Sequence, residues 1–422
     1  MNNRDIYIYK NGKIYSPHNQ KPLKYNKLEG CHNNYQISFN NKTFAYLKQS
    51  MGFADYADII SKRICDEIKI DCAECELVYM YNFPQGENDT LLSYEEHVEF
   101  CKSHFNITDE NTLRQSYEDY CNQFKINHEK PALISYDYQN EQPYKSAKII
   151  NLGELVSVYC EVTGNQSTIA IETYVKIAQE LSDKKSKIGK AMRKKLKLKN
   201  NIELSQSFDL DLKKIALLGY VTCQTDMRSY NIHLALIKTK KGYSLEVAPL
   251  FDNGESFNLS NLNAEQDKTQ EDVDSVYDNY SHMGNWITIT ENESNSPDSQ
   301  LVGLAQEILS NPELSKYYDI LRWLDIAEIC DHCDIGEDNF HLIKYSVVSN
   351  YNTRINLLEQ EIKRQQEQEQ EQEQEQELEQ ELVSENISTN EKSQINSNEH
   401  TDQNSLEDGV INEYVNEDNV GL

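Results

Sequence analysis

Three oxygen-bearing side chains stand out by type and spacing. Asp226 is followed five residues later by Asn231, and Asp252 lies beyond them in Pro249-Leu-Phe-Asp252-Asn-Gly254. Such a set suits phosphoryl transfer: one carboxylate orients an acceptor hydroxyl, while hard oxygens hold the Mg²⁺ that bridges nucleotide phosphates. Asp226 fits the first role, and Asn231 and Asp252 fit the second. A cation must then meet the phosphates from elsewhere in the chain, and Lys48, at the end of an alternating run, is the candidate. Each feature alone has a plainer reading. An Asp-x₄-Asn pair arises by chance in a long chain, Asp252-Asn-Gly254 reads as a turn, and Lys48 reads as a solvated strand end. The ordered set is more specific than any member.

The surrounding pattern predicts elements able to position these residues. Tyr35–Phe39 and Lys42–Lys48 alternate around Asn40-Asn41, which marks a hairpin. Apolar residues at 57, 60, 64 and 68 predict a helix that also carries Asp58. Strands are expected over Glu76–Tyr81 and, after Pro131, over Ala132–Tyr138. Helices are expected over Tyr94–Phe105 and Thr112–Phe124, then over Tyr174–Leu181, Asp211–Thr222, Leu301–Leu309 and Leu314–Cys330. Between Asn231 and Asp252, a hairpin of Ile232–Ile237 and Tyr243–Ala248 returns the chain to its start. Glu265–Ser299 reads as a long polar loop, broken by the alternation Trp286–Thr290.

These islands resemble the HipA-like serine/threonine kinases, in order from about Asn34 to Tyr345. The resemblance rests on the hairpin lysine, Ala73-Glu-Cys-Glu-Leu-Val78, Ala132-Leu-Ile-Ser-Tyr-Asp137, the Asp226 to Asn231 loop and Ala248-Pro-Leu-Phe-Asp-Asn-Gly254. It implies an α+β, two-lobed protein-kinase-like fold, with a β-rich N-lobe, a mainly helical C-lobe and a low-complexity tail. It implies ATP and Mg²⁺ as cofactors, with Lys48 on the phosphates and Ile134, Ser135 and Tyr136 meeting adenine through main-chain groups. Asp226 would be the catalytic base, Asn231 and Asp252 the metal ligands, and Asp58 the stand-in for a family glutamate. A protein acceptor with Ser or Thr, autophosphorylation, and an antitoxin-like or host partner follow from the same resemblance, whose members include toxins and translocated effectors. Gln224, Met227 and Arg228 depart from the family's Asn, Arg and His, and Gly30–Asn34 lacks a clear phosphate loop.

The expected organisation is an N-lobe over 1–138 with a helical insertion near 82–130, and a C-lobe over 139–349. A Glu/Gln-rich helix or spacer over 350–382 and a disordered acidic tail over 383–422 would follow. The net charge is −29, and residues 355–422, with nineteen acidic and three basic side chains, carry much of it. That balance argues against nucleic acid as a general partner. Lys184–Lys199 is the exception, with nine basic residues; it reads as a solvated helix face, a mobile loop, or a docking site for an acidic substrate, a nucleic acid or the chain's own acidic tail. No apolar run predicts a membrane span or signal peptide, and ten scattered cysteines read as reduced thiols, so a cytoplasmic protein is expected. Cys72-Ala-Glu-Cys75 and Cys330-Asp-His-Cys333 have the spacing of zinc ligands. Strand alternation, however, would send the first pair to opposite faces, and the second reads as helix core. Two competing functions remain: a lipid or small-molecule kinase, and a pseudokinase scaffold that binds partners through its tail.

Overall fold

The computed structural model describes residues 6–10, 13–16, 21–28, 33–39, 42–49, 53–81, 92–105, 107–128, 130–166, 170–198, 201–262, 269–280, 287–290, 296–333, 335 and 339–398. The N-terminal part is rich in sheet. It holds β1 (Ile6–Lys10), β2 (Lys13–Tyr15), β3 (Lys24–Leu28), β4 (Asn33–Phe39), β5 (Lys42–Gln49), α1 (Ala54–Ile68), β6 (Cys75–Tyr81), α2 (Tyr94–Phe105), α3 (Glu110–His128) and β7 (Lys130–Tyr136). Its seven strands lie in the order β2-β1-β6-β7-β5-β4-β3. The pleat divides their side chains: Ile37, Leu47, Val78 and Ile134 fill a small core on one face, while Leu77 and Leu133 turn toward α1. The helical stripe Ala57, Ile60, Ile64 and Ile68 is fully buried, as its spacing requires.

Pro131 lies inside β7 rather than before it. It pairs with Tyr79 of β6, whereas β5 reaches β7 only as far as Leu133 opposite Lys48, so the missing N–H interrupts no ladder on that side.

The C-terminal part is mainly helical. It contains β8 (Lys148–Asn151), α4 (Leu152–Thr163), α5 (Ile171–Ser182), α6 (Lys187–Lys195), β9 (Ile202–Leu204), α7 (Phe208–Val221), β10 (His233–Lys238), β11 (Tyr243–Val247), α8 (Gln270–Tyr280), α9 (Pro297–Ser310), α10 (Pro312–Arg322), α11 (Ile326–Asp331) and α12 (Phe340–Asn398). A second sheet, β8-β10-β11-β9, carries the expected hairpin. Two expectations fail here. The polar stretch after Glu265 contains α8, because Val273, Val276 and Tyr277 share one helical face and pack on the core despite their acidic neighbours. The single helix over Leu314–Cys330 is two helices, since Asp325 caps a new start by accepting from the Glu328 N–H.

The chain divides into two compact units, Met1–Ile362 and Lys363–Leu422. The Glu/Gln tract of the second is helical, within α12. Trp286, Gly30–His32 and residues 399–422 of the expected tail lie outside the described residues. Among the described residues no helix is long and apolar enough to cross a membrane.

Candidate active site

On β5, Leu47 enters the small core, so the next residue, Lys48, emerges on the opposite face above α1. There its Nζ lies 2.6 Å from Asp252 Oδ1 and 3.4 Å from Asp58 Oδ2. Asp58 Oδ1 in turn accepts the Asn253 N–H at 2.5 Å. One buried carboxylate on α1 thus ties the lysine strand to the segment that carries Asp252. Burial, with a further push from the Asp252 charge, raises the Asp58 carboxyl to about 6 against the pull of the Lys48 ammonium. Burial works to lower the Lys48 ammonium, but Asp58 and then Asp252 outweigh it and hold it well above the ordinary lysine range.

The glycine of Asp-Asn-Gly has a local reason. A Cβ at Gly254 would stand 3.1 Å from Lys48 Nζ and 3.3 Å from Asp58 Oδ2, in the space the ion pair occupies. Asp252 itself has φ +56°, a left-handed backbone that aspartate adopts more readily than most residues.

The second acidic group comes from the loop after α7. Asp226 is ion-paired to Arg228, and its Oδ2 accepts from Asn231 Nδ2 at 3.2 Å. Asn231 Nδ2 also donates to the Asp226 carbonyl at 3.0 Å, which leaves its Oδ1 as the hard oxygen available to a cation. Gln224, almost fully buried, joins this loop to the other segment. Its Nε2 donates to the Asp252 carbonyl and its Oε1 accepts the Asp226 N–H, both at 3.2 Å. Sequence comparison marked Gln224 only as a departure from asparagine; the structure gives it a bridging position. Met227 is buried over Gly219, where a Cβ would meet its Cε at 2.3 Å.

Between the lobes lies a cavity of about 370 Å³ with Lys48, Asp58 and Asp252 on its wall. Ser135 and Tyr136 line it; Ile134 does not. This corrects the expectation for Ile134. Its side chain belongs to the small core, and its backbone pairs with Leu47 on one side and Glu76 on the other. The chain leaves the sheet later, and Tyr136 through Gln139 continue the cavity wall.

Sequence reasoning missed His233 and Phe251, which also line this space with ring centroids 4.3 Å apart. His233 Nδ1 shares a 2.8 Å hydrogen bond with the Tyr138 hydroxyl, and burial lowers the imidazole to about 4, so it is neutral near pH 7. The available signal was position, since both rings adjoin the motif residues Asn231 and Asp252. Cys72 and Cys75 both line the cavity as well, rather than facing apart, because Cys72 precedes β6 and bridges to Leu250. Among the described residues no three His, Cys, Asp or Glu side chains are grouped to hold a metal by themselves.

No family model matches the chain, and no curated protein matches it. Solved structures do. The proinflammatory kinase CtkA of Helicobacter pylori is similar over 81% of this chain and 96% of its own, at 10% identity and a TM-score of 0.47. HipA of Shewanella oneidensis MR-1, from a toxin–antitoxin complex with HipB and operator DNA, is similar over 80% and 67%, at 10% identity and a TM-score of 0.35.

Proposed function

We propose that this chain is an ATP- and Mg²⁺-dependent serine/threonine protein kinase of the HipA-like type. The observation that supports it best is the meeting of Lys48, Asp58 and Asp252 on one cavity wall, with Lys48 and Asp252 bonded across 204 residues of sequence. A half-buried lysine shared between two carboxylates suits a phosphate-binding cation: phosphate oxygens would take the place of Asp252 as its partner, while Asp58 keeps it aimed. The oxygens of Asn231 and Asp252 suit Mg²⁺, which binds few protein oxygens and completes its shell with phosphates and water. Bound there, Mg²⁺ would neutralise charge on the transferring phosphate.

The remaining roles belong to the chain. Asp226 orients the acceptor hydroxyl and takes its proton, and Asn231 holds Asp226 through Oδ2. Arg228, being largely exposed, can leave Asp226 when an acceptor arrives. Gln224 keeps the two acidic segments in register. Main-chain recognition of adenine would fall to Asp137–Gln139, just past the paired part of β7, with His233 and Phe251 on the wall of the same cavity.

The test is incubation of the purified chain with γ-labelled ATP, Mg²⁺ and protein acceptors. Label on serine or threonine, abolished by Asp226→Ala, is the expected result. Absence of transfer overturns the proposal, and label appearing only in lipid vesicles reassigns the acceptor.

A further inference from the structure

The basic run Lys184–Lys199 plays no part in the chemistry above, yet its geometry is specific. α6 is fixed on its inner side. Met192 is fully buried, and buried Arg193 donates to the carbonyls of Leu181 and Asp183. Gly189 lies so close to α5 that a Cβ would fall 1.8 Å from the Glu180 carbonyl oxygen. Ser186 caps the helix start by accepting the Gly189 N–H at 3.0 Å, and Lys148 Nζ donates to the Leu196 carbonyl at 2.6 Å. A helix held this way presents its outer side rigidly.

That outer side is lysine. Lys187, Lys190 and Lys194 are exposed at spacings of three and four, within about 60° of arc and along roughly 10 Å of axis. Exposed Lys184, Lys185 and Lys197 extend the row at its ends. Among the described residues none of these six makes an ion pair; Lys195 does, with Glu161. The neighbouring acids are engaged otherwise: Glu180 with the Ser186 hydroxyl and Asp183 with the Lys185 N–H. Six unneutralised cations repel one another, on a chain whose net charge is −29.

α6 and the loop that carries Asp226 both brace against α4. Tyr230, which lies between Asp226 and Asn231, packs against α4 at Gly153, where a Cβ would come within 2.8 Å of its ring. Its hydroxyl lies 3.3 Å from Ser157 Oγ. Further along α4, Glu161 takes Lys195 of α6. From Gly153 to Glu161 is about 12 Å of helix, the span of roughly four extended residues.

We propose that the lysine face of α6 docks an acidic segment of the protein acceptor, so that preferred acceptors carry Asp or Glu clusters a few residues from the modified hydroxyl. This rests on the kinase assignment and names the substrate class for that site. A short acidic peptide meets only the lysines, whereas a nucleic acid or an anionic bilayer also meets the field of an acidic protein.

The test uses the full chain without nucleotide and a fluorescein-labelled decapeptide of alternating Glu and Gly, with its Gln counterpart as control, read by fluorescence anisotropy. The Glu peptide binds and the Gln peptide does not. Raising salt from about 50 to 300 mM weakens binding on the order of tenfold, and so does the combined variant K187E/K190E/K194E. Those side chains are exposed, and an unchanged circular dichroism spectrum confirms that the variant is folded. Failure of the wild-type chain to bind the Glu peptide overturns the proposal, as does equal binding by the variant. Preferential binding of oligo(dT) or phosphatidylserine vesicles overturns it too. ATP binding is measured separately on both proteins: the kinase assignment fails if neither binds ATP, and the docking proposal fails if only the peptide arm is negative.

Discussion

Replacing Lys48 by methionine keeps the length of the stem and removes the ammonium that sits 3.4 Å from Asp58 Oδ2. Asp58 is then a buried carboxylate with the Asn253 N–H as its remaining described donor. Breaking a buried ion pair from one side costs about 3–5 kcal/mol, because the surviving charge is left without its counterion. The Asn253 hydrogen bond offsets part of this, so a loss of about 3 kcal/mol is expected at pH 8. Asp58 can escape by taking up a proton. Its carboxyl already stands at about 6 with Lys48 present, and without the ammonium it rises further. The loss should therefore shrink to less than half by pH 5. Adding Asp58→Asn retains an acceptor for Asn253 and removes the charge, so the double variant should recover most of the stability at pH 8. The assay is urea unfolding followed by circular dichroism at both pH values. An equal loss at pH 8 and pH 5, or a double variant no better than the single one, would refute the reasoning.

Other outcomes follow from the same cleft. Gln224→Ala removes both bridging hydrogen bonds, at a cost of about 1–3 kcal/mol, and should lower kcat roughly 10- to 100-fold in a transfer assay while leaving the fold intact by circular dichroism. Gly254→Ala should displace the flexible end of Lys48 rather than unfold the chain, so calorimetric ATP affinity should fall several-fold with little change in urea midpoint. Asp58 and His233 should oppose each other in acid. Asp58, raised from 3.8 to about 6, contributes stability below its unfolded value that is lost as pH rises through about 6. His233, lowered from 6.5 to about 4, contributes stability above its unfolded value that is lost as pH falls through about 4. Urea midpoints across pH 4–7 should therefore tilt downward with rising pH in His233→Gln and upward in Asp58→Asn; identical profiles in both would contradict these assignments.

Much of this arrangement could be read from residue order, and the exceptions have physical causes. The pairing of β4 with β5 was legible because two alternating runs flank a turn-forming Asn pair in the sequence, and it places Lys48 on the face above α1. The helix with Asp58 was legible because its apolar stripe is buried without interruption. The end of β7 was not. A continuous apolar run does not say where the neighbouring strands stop, and it is because β5 and β6 both pair with β7 past Ile134 that this residue stays inside the sheet. Gln224, His233 and Phe251 were missed for a related reason. Their work is to contact residues distant in sequence, such as Asp252 and Tyr138, and no local periodicity encodes such contacts. The acidic character of Glu265–Ser299 hid α8, because three apolar residues on one face suffice to bury a short helix against an existing core.

The most direct test of the central claim is a calorimetric titration of ATP into the full chain, with and without Mg²⁺. Saturable binding that tightens with Mg²⁺, and loses that tightening in Asp252→Ala, is the expected result. No heat of binding at millimolar ATP, or equal Mg²⁺ dependence with and without the Asp252 carboxylate, would contradict it.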